Sequence, residues 1–168
     1  MYLSGYWFTK LIYIDESGFD KFQYRKYAKA PIGKRVFGYI SGLRYQRKSI
    51  IAGRDYQHKL IAPIIYEGTA NTEWILQWTK DYLIPELKIN SILIWDNATI
   101  YKSPRLKNII EKAGHEIIFL SPYSPDLNPI EHKWHEIKHN LAKYYNDKID
   151  FTDNLIREVL RLTKWEVG

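Results

Sequence analysis

The sequence predicts an α/β chain built on a mixed sheet with helices on its faces, and three observations predict it. Two runs, at 11–17 (LIYIDES) and 91–95 (SILIW), are continuously apolar before they reach acids, as suits central strands buried on both faces. In the first part of the chain, strand-like pieces follow one another with turn signals between them, as antiparallel hairpins do. Beyond residue 70 strands alternate with helices, the pattern of parallel strands joined through helical crossovers.

Taken in order, the first strand covers 11–17 and is bounded by Gly18. A strand follows at 35–41, then short apolar pieces at 49–53 and 60–66, with Ser41-Gly42 and Gly53 as turn signals. Pro63 makes the piece at 60–66 an edge strand or a bulged one, because proline cannot donate to a ladder. Asn71 or Thr72 can cap a helix carrying Trp74, Ile75, Trp78, Tyr82 and Leu83 at helical spacing, which Pro85 kinks or ends. After the strand at 91–95 comes a helix over 103–112, with Pro104 in its first turn and Gly114 as its stop. A strand at 116–120 feeds the loop SPYSPDLN, a helix runs from Pro129 to about Tyr145, and a last helix covers 152–164. Phe151, Leu155, Ile156, Val159, Leu160 and Leu162 supply its apolar face.

The chain has 168 residues and no internal repeat or linker, which predicts one domain over 1–168. It has no cysteine, so disulfides and thiolate metal sites are excluded, and any metal must be held by carboxylates, histidines or backbone. No apolar run has the length of a membrane span, and MYLSGYWFTK has no charged n-region or proper h-region. A cytoplasmic location is therefore the default expectation.

The formal charge is +6, and between Lys21 and Lys59 eleven Lys/Arg stand against one acid, Asp55. Tyrosines and a phenylalanine are interleaved with these bases, a composition that suits a nucleic-acid backbone as much as a merely solvated face. Arg25, Lys34, Arg35, Arg44, Arg47, Lys48 and Arg54 are the candidate nucleic-acid contacts, read as phosphate binders rather than base readers.

Asp15 and Asp96 each lie at the end of an apolar strand, and Glu131 lies in the first turn of a helix behind a proline-rich entry. If the two strands are parallel neighbours, both Asp side chains reach the carboxyl edge of the sheet, where ligands of open α/β sheets gather. The strand at 116–120 would return the loop before Glu131 to the same edge. Three carboxylates together repel one another, and divalent cations resolve that repulsion. Blander roles stay open for each acid. Asp15 can cap a turn, while Asn128, Pro129 and Glu131 match the layout of a capping box. Glu16 should point to the opposite face of its strand from Asp15 and so stay out of a metal site. His115, His132, His135 and His139 lack a fourth partner, so the three on the last-but-one helix read as a solvated face rather than a metal site.

The segments Tyr13-Ile-Asp-Glu-Ser-Gly-Phe19, Trp95-Asp-Asn-Ala98 and Ser121-Pro-Tyr-Ser-Pro-Asp-Leu-Asn-Pro-Ile-Glu131 resemble the catalytic domain of DDE transposases. The resemblance is to the mariner-like superfamily and its bacterial insertion-sequence relatives. Thirty-four residues separate Asp96 from Glu131, the spacing expected for that group, and secondary matches fall at 44–52 and Ala113-Gly114. The resemblance covers residues 11–145.

It implies an RNase H-like fold, with three leading antiparallel strands and two further parallel ones. It also implies that Asp15, Asp96 and Glu131 are catalytic and bind two Mg²⁺ or Mn²⁺ ions. Asp15 would bridge both ions, while Asp96 and Glu131 would each complete one site. Asn97 would orient Asp96 or a bound water, or else simply form the turn. The implied reaction is hydrolysis of DNA at an element end, followed by attack of the freed 3′-OH on target DNA. The implied partners are element-end and target DNA and a second copy in a synaptic complex. The helix-turn-helix region of relatives is missing ahead of the first motif, which leaves room for a separately encoded helix-turn-helix protein. Many relatives carry a histidine where this chain has Tyr101. The rival readings are a truncated, non-autonomous relative that binds DNA without catalysis, and another RNase H-like nuclease, which the proline-rich motif disfavours.

Overall fold

The computed structural model describes residues 10–21, 46–121 and 128–163. The strand expected at 35–41, the turn at Ser41-Gly42 and most of the proline-rich loop lie outside them. Among the described residues five strands form one sheet: β1 Leu11–Asp20, β2 Arg47–Arg54, β3 Leu60–Tyr66, β4 Ile92–Trp95 and β5 Glu116–Phe119, in the order β3-β2-β1-β4-β5. β1 pairs antiparallel with β2, and β2 with β3, while β1 with β4 and β4 with β5 are parallel. The mixed sheet expected from the pattern is the one observed.

Helix α1 (Thr72–Trp78) continues through a π-helical stretch, Thr79–Leu83, and ends in the short turn Ile84–Glu86. Pro85 has no N–H to give, so the wider turn ahead of it, with Ile84 N donating to Thr79 O, is the kink expected at that proline. Asn71 is the N-cap, its side chain accepting from Trp74 N at 2.9 Å. Helices α2 (Pro104–Lys112), α3 (Glu131–Tyr144) and α4 (Phe151–Leu162) follow.

Alternation along the strands divides the core in two. Ile12, Ile14, Ile51, Ile61, Leu93 and Trp95 pack with Ile75, Trp78 and Leu83 of the first helical segment and Leu106 and Ile110 of α2. On the other face Phe19, Ile50, Ala52 and Leu60 meet Trp134, Ile137 and Leu141 of α3 and Phe151, Leu155, Val159 and Leu162 of α4. The apolar face expected for α4 is narrower than its composition suggests, because Ile156 and Leu160 remain about 40% exposed.

Both glycines read as strand boundaries or turns lie inside strands. Gly18 pairs with Ser49, and β1 runs on to Asp20; a Cβ there would collide with the Arg47 guanidinium that crosses it. Gly53 pairs with Ile14, and a Cβ would stand 2.8 Å from Ile61 Cγ1 and 2.9 Å from Ile12 Cγ2. These glycines serve close approach, not chain reversal. Pro63 behaves as expected. Among the described residues β3 is the outer strand, with only a single bridge from Leu60 to Thr163 beyond it, and its register against β2 shifts between Ile51 and Gly53. Ala62, at φ 47°, is held there by Glu86, which accepts from its N–H, and by Trp78 Nε1, which donates to its carbonyl.

Candidate active site

Parallel pairing of β1 with β4 ends at Tyr13 opposite Ile94, so Asp15 and Asp96 both lie two residues beyond it, at the carboxyl end of β4; Asp96 follows its strand as expected, whereas Asp15 is in mid-strand, because β1 continues against β2 to Asp20. β5 points the same way, and Leu120 N donates to Trp95 O at 2.8 Å. The loop toward α3 therefore leaves from that end too.

Asp15 lies on the face of β1 that meets α3. Trp134 Nε1 donates to its Oδ2 at 2.9 Å. Burial raises the Asp15 carboxyl to about 6; the Trp134 and Glu16 hydrogen bonds pull the other way, and the charges of Asp96 and Glu131 push it further up. Asp15 thus senses both other acids. Glu131 is the first residue of α3 and is exposed, and it shares with Asp15 a cleft of about 350 Å³ that Glu16, Ser17, Trp134, His135 and Lys138 also line. Asp96 follows fully buried Trp95, and its Oδ1 accepts from Ala98 N at 3.0 Å. It does not line that cleft.

The capping box left open as an alternative at Asn128 is absent. Helix α3 begins at Glu131 with Ile130 as N-cap and no side-chain cap bond, and Asn128 Oδ1 is buried without a partner among the described residues. The Asn128 contact to the helix is through its backbone carbonyl, which accepts from Glu131 N at 3.1 Å. Residues 129–130 form a separate turn, which moves the helix start past the proline and leaves the Glu131 carboxylate out of any cap.

Glu16 faces away from Asp15, toward Tyr66 and Tyr101. Burial raises both hydroxyls well above the ordinary tyrosine range, and the Glu16 charge adds to it; Asp96 and Asp15 add further at Tyr101. Tyr101 itself is buried and stacked on Trp95 at 5.3 Å. Asn97 is half-buried beside Asp96, and the bond that holds Asp96 comes from Ala98 instead.

Among the described residues no cation pairs with Asp15, Asp96 or Glu131, and no three His, Asp or Glu side chains stand close enough to hold one ion. A half-buried carboxyl lifted mainly by desolvation, with two neighbouring acids adding to the rise, is nonetheless the donor chemistry that suits hard divalent cations. His132 and His139 are exposed on α3, and buried His115 accepts from Ser91 N through Nδ1 at 3.2 Å.

Of the basic candidates, Arg25, Lys34, Arg35 and Arg44 lie outside the described residues. Arg47 lies across Gly18, Lys48 pairs with Glu67, and Arg54 contacts His58, its guanidinium pushed down by burial. None of these three lines the acidic cleft. The cation that does is Lys138, which the sequence reading passed over. Helical spacing was the available signal, since Trp134, His135 and Lys138 stand three, four and seven residues beyond Glu131.

Comparison with solved structures places this architecture among transposase and integrase cores. The Mos1 strand transfer complex matches at TM-score 0.69 and 17% identity over 95% of this chain and 49% of that one. The mariner Mos1 paired-end complex with Mg matches at 0.60 and 17%, over 91% and 53%. The catalytic core domain of BIV integrase matches at 0.56 and 15%, over 95% and 87%. The chain thus spans about half the length of these Mos1 chains and most of the integrase core. No curated protein sequence matches it. At such identities the likeness establishes the RNase H-like fold, while the family model described as DDE superfamily endonuclease matches residues 10–156. By that match over most of its length, the chain belongs to the DDE superfamily of endonucleases.

Proposed function

We propose that this chain is a transposase catalytic core that cleaves DNA strands and transfers them in a metal-dependent reaction. One observation carries the reading. Asp15 and Asp96 each lie two residues beyond the last parallel pair of β1 and β4, and Asp15 is raised to about 6 with Asp96 and Glu131 contributing to the rise.

In this reading Asp15, Asp96 and Glu131 would together hold two Mg²⁺ or Mn²⁺ ions. Such a pair activates the attacking oxygen and steadies the leaving one in phosphoryl transfer. The chain's own residues supply the rest. Ala98 N holds one oxygen of Asp96, and Trp134 holds one oxygen of Asp15. Glu131, exposed at the helix start, is free to turn toward both. Lys138 offers a positive charge at the cleft for a DNA phosphate.

DNA is the proposed partner, with element ends and target as substrates; the +6 charge favours such a backbone. Joining two ends calls for two active centres, so a homodimer in a synaptic complex is proposed. Arg47, Lys48 and Arg54 remain candidate phosphate contacts outside the acidic cleft. The deciding experiment is Mg²⁺-dependent nicking of a supercoiled plasmid carrying the DNA on either side of the coding sequence. Asp15→Asn, Asp96→Ala and Glu131→Gln should each lose more than the roughly 10–100-fold typical of an outer-shell group. Full nicking by Asp96→Ala would refute the proposal.

A further inference from the structure

We propose that Trp134 is a positioning residue for the metal-binding carboxylate of Asp15, an inference that rests on the reading above. The indole N–H is a donor only, and it points at one carboxylate oxygen from 2.9 Å. Trp134 is 4% exposed, and its ring stands edge-on to Phe19 at 6.1 Å and 77°. Ile130, Ile137 and Leu141 bury the same side of the helix. The indole cannot turn from Asp15 without opening this half of the core.

Satisfying a buried indole is not by itself enough to explain the bond. Trp78, equally buried, meets its need with the backbone carbonyl of Ala62, so a buried indole of this fold does not require a carboxylate. Trp134 instead spends its one donor on a carboxylate that burial and two nearby acids already destabilise. It also stands three residues beyond Glu131, on the same side of α3. One rigid helix therefore sets the direction of Asp15 and the position of Glu131 together. Ligating carboxylates depend on such hydrogen bonds for orientation.

The test is Mn²⁺ titration of the full chain, followed by electron paramagnetic resonance without DNA. Trp134→Phe keeps the ring and removes the N–H; it should stay folded and bind Mn²⁺ about 10–100-fold more weakly. Leu155→Ala, which opens the same half of the core from α4 and leaves the N–H, should lower thermal stability and keep wild-type affinity. If Trp134→Phe matches wild type while Asp15→Asn does not, the indole is packing only and the proposal is overturned. If Asp15→Asn also matches wild type, the metal-site reading falls, and the proposal with it. Should Trp134→Phe fail to fold, the wild-type indole N–H resonance that moves in Asp15→Asn must also move on Mg²⁺ addition. An unmoved resonance overturns the proposal.

Discussion

Lys138 donates from Nζ to Ser17 Oγ at 3.0 Å, and the same ammonium lies 5.3 Å from the centre of the Phe19 ring. The side chain is thereby laid along the α3 face of β1, inside the cleft that holds Asp15 and Glu131. An ammonium held there has no carboxylate partner among the described residues and is available to a phosphate. Lys138→Ala should weaken DNA binding for every sequence alike. The slope of log affinity against log salt should fall by about 1 in magnitude. Fluorescence anisotropy over a salt series checks both, and an unchanged slope would remove Lys138 from the DNA path.

Asp15 makes stability depend on pH in a way that can be signed. Its folded pKa, about 6, lies above the ordinary 3.8. Between these values the folded chain binds more protons than the unfolded one, so this group's contribution falls as pH rises through the window and is level above it. In metal-free buffer Asp15→Asn should therefore be more stable than wild type at pH 8, by up to about 3 kcal/mol. The advantage should vanish near pH 4. Urea denaturation in a chelator at the two pH values measures it. By the same linkage, divalent cations should bind more weakly as pH falls through 6, because a proton competes for the carboxylate.

Gly53 sits where β2 must pass between Ile12 and Ile61. Gly53→Ala should cost about 1–3 kcal/mol through overpacking. The neighbouring pair in the same ladder is Asp15 with Ala52, so any shift of β2 is felt at the site. The expected result is a lower urea midpoint at constant m-value. A rise in stability would show that Ile61 gives way freely.

Asn154 stitches the connection between α3 and α4. Its Oδ1 accepts from Asn146 N at 2.9 Å, and its Nδ2 donates to the carbonyls of Asn146 and Asp150 at 3.0 Å. The residue is fully buried. Asn154→Ala should leave these backbone groups unsatisfied and cost about 2–3 kcal/mol. Hydrogen exchange at Asn146 N should quicken, while the Asp15 cleft on the far half of α3 keeps its metal affinity.

The alternation of elements, the two apolar strands with their acids and the motif spacing were legible in the sequence because they are local. An uninterrupted apolar run reports burial on both faces, and a proline reports a missing donor wherever it stands. Gly18 and Gly53 were misjudged for a matching reason. A glycine needed for reversal and one needed for close approach look alike until Arg47, Ile12 and Ile61 are brought beside them. The capping box left open at Asn128 failed likewise, because propensity places a helix start only to within a turn.

By itself the sequence determined which residues carry acid, that no thiolate could take part, and that Asp96 follows a strand and Glu131 opens a helix; Asp15, read as a strand end, lies in mid-strand because β1 runs on against β2 to Asp20. Only the tertiary structure decided that β1 and β4 are parallel neighbours, which sets Asp15 beside Asp96. It alone decided that α3 lies on the Asp15 face of the sheet, leaving Glu16 to Tyr66 and Tyr101, and that Trp134 and Lys138 join the cleft. The physical reason is that a strand's side-chain period says which residues share a face. Which face meets which helix depends on burying both halves of the core at once.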